Sequence, residues 1–257
     1  MSIRSTGRPT HIPIDPTVRD AAADTAALRR KAEQVSRGGV RAAVLGANDG
    51  LVTNLCLILA VAGANAAPSS VRLAGFASLV AGAFSMAAGE WVSVSSHKEL
   101  AGGLLDEMRR LIARNPKLML DELTKQLIDD GFASDTAMQA SNELPLDEDR
   151  FLSFCARTVF GVNPNELGSP ATAATSSFVL FAIGALIPLA PWFVTSGGAA
   201  VTISVVLTGV ASLLIGGLVS KSSGNSTVRG AARQLAIVVL ASAITYGIGA
   251  AFGTAIS

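Results

Sequence analysis

Five long runs of apolar residues organise this chain, and one polar stretch interrupts them. The first two runs fall in residues 40–96, VRAAVLGANDGLVTNLCLILAVAGANAAPSSVRLAGFASLVAGAFSMAAGEWVSVSS. Each is about 24 residues long, and about 20 suffice to cross the hydrocarbon core of a bilayer. They are predicted as helices over 41–64 and 71–96, joined by a polar turn at 65–70. Three further runs, 171–194, 199–220 and 230–256, complete a set of five spans. Pro188 and Pro191 are expected to kink or end the third of these, because proline has no N–H to donate. Gly209, Gly216 and Gly217 suggest close helix approach in the fourth.

Between the second and third spans, residues 97–170 are polar and charged. Leu100, Leu104, Met108 and Leu111 recur every three to four positions, as on an amphipathic helix. Asn115–Pro116 ends that pattern. Leu120, Leu123, Leu127 and Ile128 predict a second helix, residues 134–142 a third, and 146–160 a fourth. The fourth carries Asp147, Glu148 and Asp149 in its first turn, where the helix dipole favours acids; residues 161–170 read as a loop. Residues 1–36 are polar, with Pro9, Pro13 and Pro16; part of this segment is expected to be disordered, and 16–36 to form a short helix at the surface. The predicted fold is therefore an all-α polytopic membrane protein: an N-terminal segment (1–36), spans one and two (37–96), a helical insert (97–170) and spans three to five (171–257).

Composition agrees. Of 257 residues half are hydrophobic and 15% charged, and the mean hydropathy is +0.48, high for a soluble domain. The net charge of +1 offers no field for nucleic acid. Cys56 and Cys155 fall in a span and in the insert, so a disulfide is not expected. His11 and His97 have no metal-motif spacing. No nucleophile elbow, P-loop or HExxH is present, which points away from an enzyme or an ATP-driven pump. Basic residues set the topology. Arg29, Arg30, Lys31, Arg37 and Arg41 precede the first span, and Lys221, Arg229 and Arg233 surround the turn between the last two. The N-terminus and insert are expected in the cytoplasm and the C-terminus outside.

Acids inside a membrane helix are costly and mark function. Asp49 lies about 16 residues before the first turn and Glu90 about 19 after it, which puts both some 25–30 Å from the turn on antiparallel helices. Met86 is one helical turn before Glu90. Two carboxylates and a thioether suit a divalent cation. Both acids also have plainer readings: Asp49 within Asn48–Asp49–Gly50 as a helix break or an interhelical hydrogen bond, Glu90 as an interfacial partner of His97 or Lys98. Met86 alone reads as packing. Asn48, Asn54 and Ser78 offer weaker oxygens.

RAAVLGANDGLVTN followed by AGAFSMAAGEWVSVSS resembles the vacuolar iron transporter family, and the order of spans extends the likeness over residues 37–257. The resemblance implies five membrane helices, a homodimer, and export of Fe²⁺ or Mn²⁺ from the cytosol in exchange for protons, with no permanent cofactor. It supports Asp49 and Met86 as metal ligands; Glu90 joins them by its position in the hairpin, with Asp49 and Glu90 also expected to carry protons. At the cytoplasmic entrance it points to Glu99, Asp106 and Glu107, beside Met108 and Glu122. Two departures stand out. The helix in which the family has methionines and a glutamate reads Phe151-Leu152-Ser153-Phe154-Cys155-Ala156-Arg157, and Ser78 replaces a membrane glutamate. Solvated faces and salt bridges account for most acids of the insert. With no organelle-targeting segment visible, a bacterial plasma membrane is the expected location. The rival reading is a membrane scaffold or sensor whose insert binds a partner.

Overall fold

A computed structural model describes residues 39–143, 148–164 and 167–256; the N-terminal segment and Asp147 lie outside them. The described residues form nine helices: α1 (Gly39–Gly63), α2 (Pro68–Arg114), α3 (Pro116–Asp129), α4 (Ser134–Glu143), α5 (Glu148–Thr158), α6 (Pro170–Leu189), α7 (Pro191–Val194), α8 (Gly197–Ser222) and α9 (Thr227–Ile256). Five of them, α1, α2, α6, α8 and α9, are long and apolar enough to cross a membrane. The protein is an all-α integral membrane protein.

Local chemistry explains most boundaries. The α1–α2 turn passes through Asn65 in the left-handed region, φ 57°, which asparagine tolerates. Pro68 then opens α2 from the first turn, where its missing N–H costs nothing. Asn115 stops α2 and caps α3, its side chain accepting from the Leu118 N–H at 3.3 Å. Ser169 caps α6 in the same way at Thr172. Pro188 stands inside the last turn of α6, which ends at Leu189. Two neighbouring carbonyls there take side-chain donors from other spans: Asn54 donates to Ala185 O at 2.7 Å and Ser204 to Pro188 O at 2.7 Å. The broken end of α6 is thus bound to α1 and α8 in a region with no water to replace lost hydrogen bonds.

One boundary differs from expectation. The helix of the second span does not stop near Ser96: α2 runs unbroken for 47 residues, about 70 Å. A hydrocarbon core of about 30 Å takes up less than half of that length. The second span and the first helix of the insert are one rod.

Helix α1 is the centre of the bundle and packs against α2, α6, α8 and α9. Ile58, Val71, Leu79, Ala83, Phe181 and Leu189 bury one apolar core; Leu55, Leu59 and Val238 bury another between α1 and α9. Large apolar side chains such as Phe84, Leu214, Leu218 and Phe252 face outward, as lipid-facing positions should. The insert has its own core of Met108, Ile112, Leu123, Leu127, Phe151 and Cys155. Helices α3, α4 and α5 make their main contacts with one another and with α2.

Candidate metal site in the membrane helices

Helix α1 continues through Asn48–Asp49–Gly50 without a break. Gly50 makes that possible at close quarters: a Cβ there would run into the Phe181 carbonyl of α6, and Gly184 of α6 stands equally close to Ala47. The face carrying these glycines is closed. Asp49 lies on another face, about 15 Å into α1, and its side chain is exposed. Leu45 and Leu57 are exposed on the same stripe. Asp49 accepts a hydrogen bond from the Thr53 hydroxyl at 3.0 Å. Asn48, beside it, is hydrogen-bonded by Gln234 of α9. Asn54 is fully buried and committed to α6.

Met86 is half-buried against the core shared by α2 and α6. Its sulfur lies 3.7 Å from where a Cβ on Gly46 would stand, so the thioether meets α1 one turn before Asp49. Glu90 follows one turn later on α2, half-exposed. Met86 therefore reaches α1, while Asp49 turns outward rather than into the bundle. Among the described residues no three His, Cys, Asp or Glu side chains come together as a metal-binding group.

In the insert, Glu99, Asp106 and Glu107 are exposed along the distal half of α2. Arg109 lies 3.3 Å from Asp106 and 3.9 Å from Asp149 of α5. Those pairs are solvent-exposed, and such pairs contribute roughly 0–1 kcal/mol. Met108 is 3% exposed and belongs to the insert core, so its thioether is spent on packing. Cys155 is buried there too, and burial pushes its thiol up to about 11. It stays protonated near neutral pH, the wrong state for a metal ligand. A groove of about 610 Å³ along α6, lined by Thr172, Thr175, Ser176 and Leu180 among others, contains no acid.

Two contacts were not expected from the sequence, Thr53 with Asp49 and Gln234 with Asn48. The first had a signal, since positions four apart share a helix face. The second joins residues 186 positions apart, which no local pattern reveals.

Comparison with known proteins then decides the family. The VIT family profile matches residues 40–250, from the start of α1 to most of α9. The chain belongs to the VIT family. Among its relatives is a vacuolar iron transporter of Acanthamoeba castellanii, 32% identical over 227 residues that cover 86% of this chain and 81% of that protein. Vacuolar iron transporter homolog 5 of Oryza sativa subsp. japonica is 33% identical over 214 residues, 81% and 78% of the two chains. Vacuolar iron transporter 1 of Eucalyptus grandis is 29% identical over 213 residues, 81% and 84%. The VIT-family match thus takes in Asp49, Met86, Glu90 and the whole insert.

Proposed function

We propose that the chain exports a divalent metal ion, Fe²⁺ or Mn²⁺, from the cytosol in exchange for protons, and that it works as a homodimer. Its relatives carry iron transport in their names. The observation that carries the reading is the placement of Asp49, an acid at membrane depth on an outward face of α1. A carboxylate turned toward lipid is expensive. Set against the same face of a second copy, it meets its symmetry mate across a two-fold axis. Two such carboxylates make a hard oxygen site; Met86, whose sulfur meets α1 at Gly46 one turn before Asp49, would offer a soft donor on the path to it.

In the proposed cycle a cytosolic cation displaces protons from Asp49 and Glu90, because ligands must be deprotonated to bind. The bundle then opens outward, and incoming protons neutralise the acids and release the ion. Glu99, Asp106 and Glu107 line the cytoplasmic approach, with Asp106 shared with Arg109. The N-terminus and insert are cytoplasmic and the C-terminus outside, in a bacterial plasma membrane. The protein acts as a carrier, not as an enzyme.

The test is a proteoliposome carrying a pH dye inside. Metal-driven proton movement is expected with the wild type and a loss with Asp49→Asn at least as large as the roughly 10–100-fold typical of losing a mere supporting group. Unaltered coupling in the variant would overturn the mechanism. A scaffold would bind no metal in either form.

A further inference from the structure

We infer that Thr53 is a positioning residue for the Asp49 carboxylate; the inference rests on the metal-site reading above. A threonine inside a helix has a default partner, the backbone carbonyl four residues earlier. This chain uses that default repeatedly. Thr124 donates to Leu120 O at 2.8 Å, Thr175 to Ala171 O at 2.8 Å, Thr202 to Gly198 O at 2.9 Å and Thr245 to Ala241 O at 2.8 Å. Thr53 sits at the same spacing from Asp49 but donates to its carboxylate oxygen Oδ1, at 3.0 Å. The hydroxyl is withdrawn from the backbone and given to the acid.

That choice has a consequence for metal binding. Leu45 and Leu57, the other exposed members of the stripe, have no group to hold an acid. Thr53 holds Oδ1 and leaves Oδ2 open to a cation. Thr53 keeps the carboxylate in one orientation, as groups behind metal ligands do elsewhere.

The experiment compares Thr53→Val, which keeps the shape and removes the hydroxyl, with Thr53→Ser, which keeps the hydroxyl. Full-length protein in proteoliposomes is assayed for Fe²⁺ transport, and Mn²⁺ binding is measured separately in detergent. The valine variant is expected to raise KM and weaken Mn²⁺ binding about tenfold, the lower end for such a supporting group, with the maximal rate unchanged. The serine variant is expected to lie within about twofold of wild type, because it retains the donor. Wild-type KM and binding in the valine variant would overturn the inference. So would a serine variant as impaired as valine, since the methyl group would then be what matters. If Asp49→Asn is inactive while Thr53→Val is normal, only the positioning role fails. Wild-type protein that neither binds nor moves metal overturns both readings.

Discussion

Gly184 shows how much one missing Cβ decides in this bundle. It faces the Ala47 carbonyl across the α1–α6 crossing, and Gly50 faces Phe181 in return. Any side chain at Gly184 pushes against backbone, which cannot rotate away. Gly184→Val is therefore expected to cost about 1–3 kcal/mol or more by overpacking. Thermal unfolding in detergent, followed by fluorescence size exclusion, should show an earlier transition; an unchanged melting temperature would mean that the two helices part without cost. The acids of the spans were legible in the sequence because charge in an apolar run is rare. The glycines were legible only in part. Gly216 does meet Gly230 across α8 and α9, whereas Gly209 makes an ordinary contact with Leu235. A helix break at Asn48–Asp49–Gly50 is one of the plain readings of the sequence, and in the folded chain Gly50 is a contact surface within an unbroken helix. A glycine reports that a Cβ is unwelcome, not which neighbour excludes it.

At the level of elements, the departure lies in α2. Polarity rises at His97, and from sequence alone that reads as a boundary. A helix is stopped by a lost N–H or by a cap, and neither occurs before Asn115 and Pro116. The apolar period changes partner along one continuous backbone, from the membrane core at Met86 to the insert core at Leu104 and Leu105. Between those cores stand Gly102 and Gly103, and a Cβ on either would meet nothing within 4 Å. Packing gives them no reason to be glycine, and helix propensity counts against them by about 0.8–1.0 kcal/mol each relative to alanine. Replacing both with alanine should raise the melting temperature by about 3–8 °C, at about 2–4 °C per kcal/mol for a chain of this size. Circular dichroism in detergent reads the shift, and a fall instead would mean that this part of α2 needs a conformation that alanine resists. The short helices of the insert were easier to read, since Asn115–Pro116 and Asp130–Gly131 punctuate them.

For the whole molecule, the proposed homodimer turns on which outward face would meet a second copy. Most outward positions of α8 and α9 are plain hydrocarbon, such as Leu214 and Leu240. The outward stripe of α1 alternates Leu45, Asp49, Thr53 and Leu57, and its polar middle is a poor surface for lipid. If two α1 stripes face each other in the proposed homodimer, Leu45 of one copy lies close to Leu45 of the other. Cysteine cross-linking tests this, after the native thiols at Cys56 and Cys155 are replaced by serine and alanine. A disulfide needs Cα atoms within about 7 Å, so oxidation reports only close approach. Leu45→Cys is expected to give a covalent dimer in membranes on mild oxidation, and Leu214→Cys to remain monomeric. The opposite pattern would put the contact on α8 and leave Asp49 facing lipid. No second carboxylate would then stand across from it, and a divalent ion would have one acid from α1 where the proposed two-fold site supplies two.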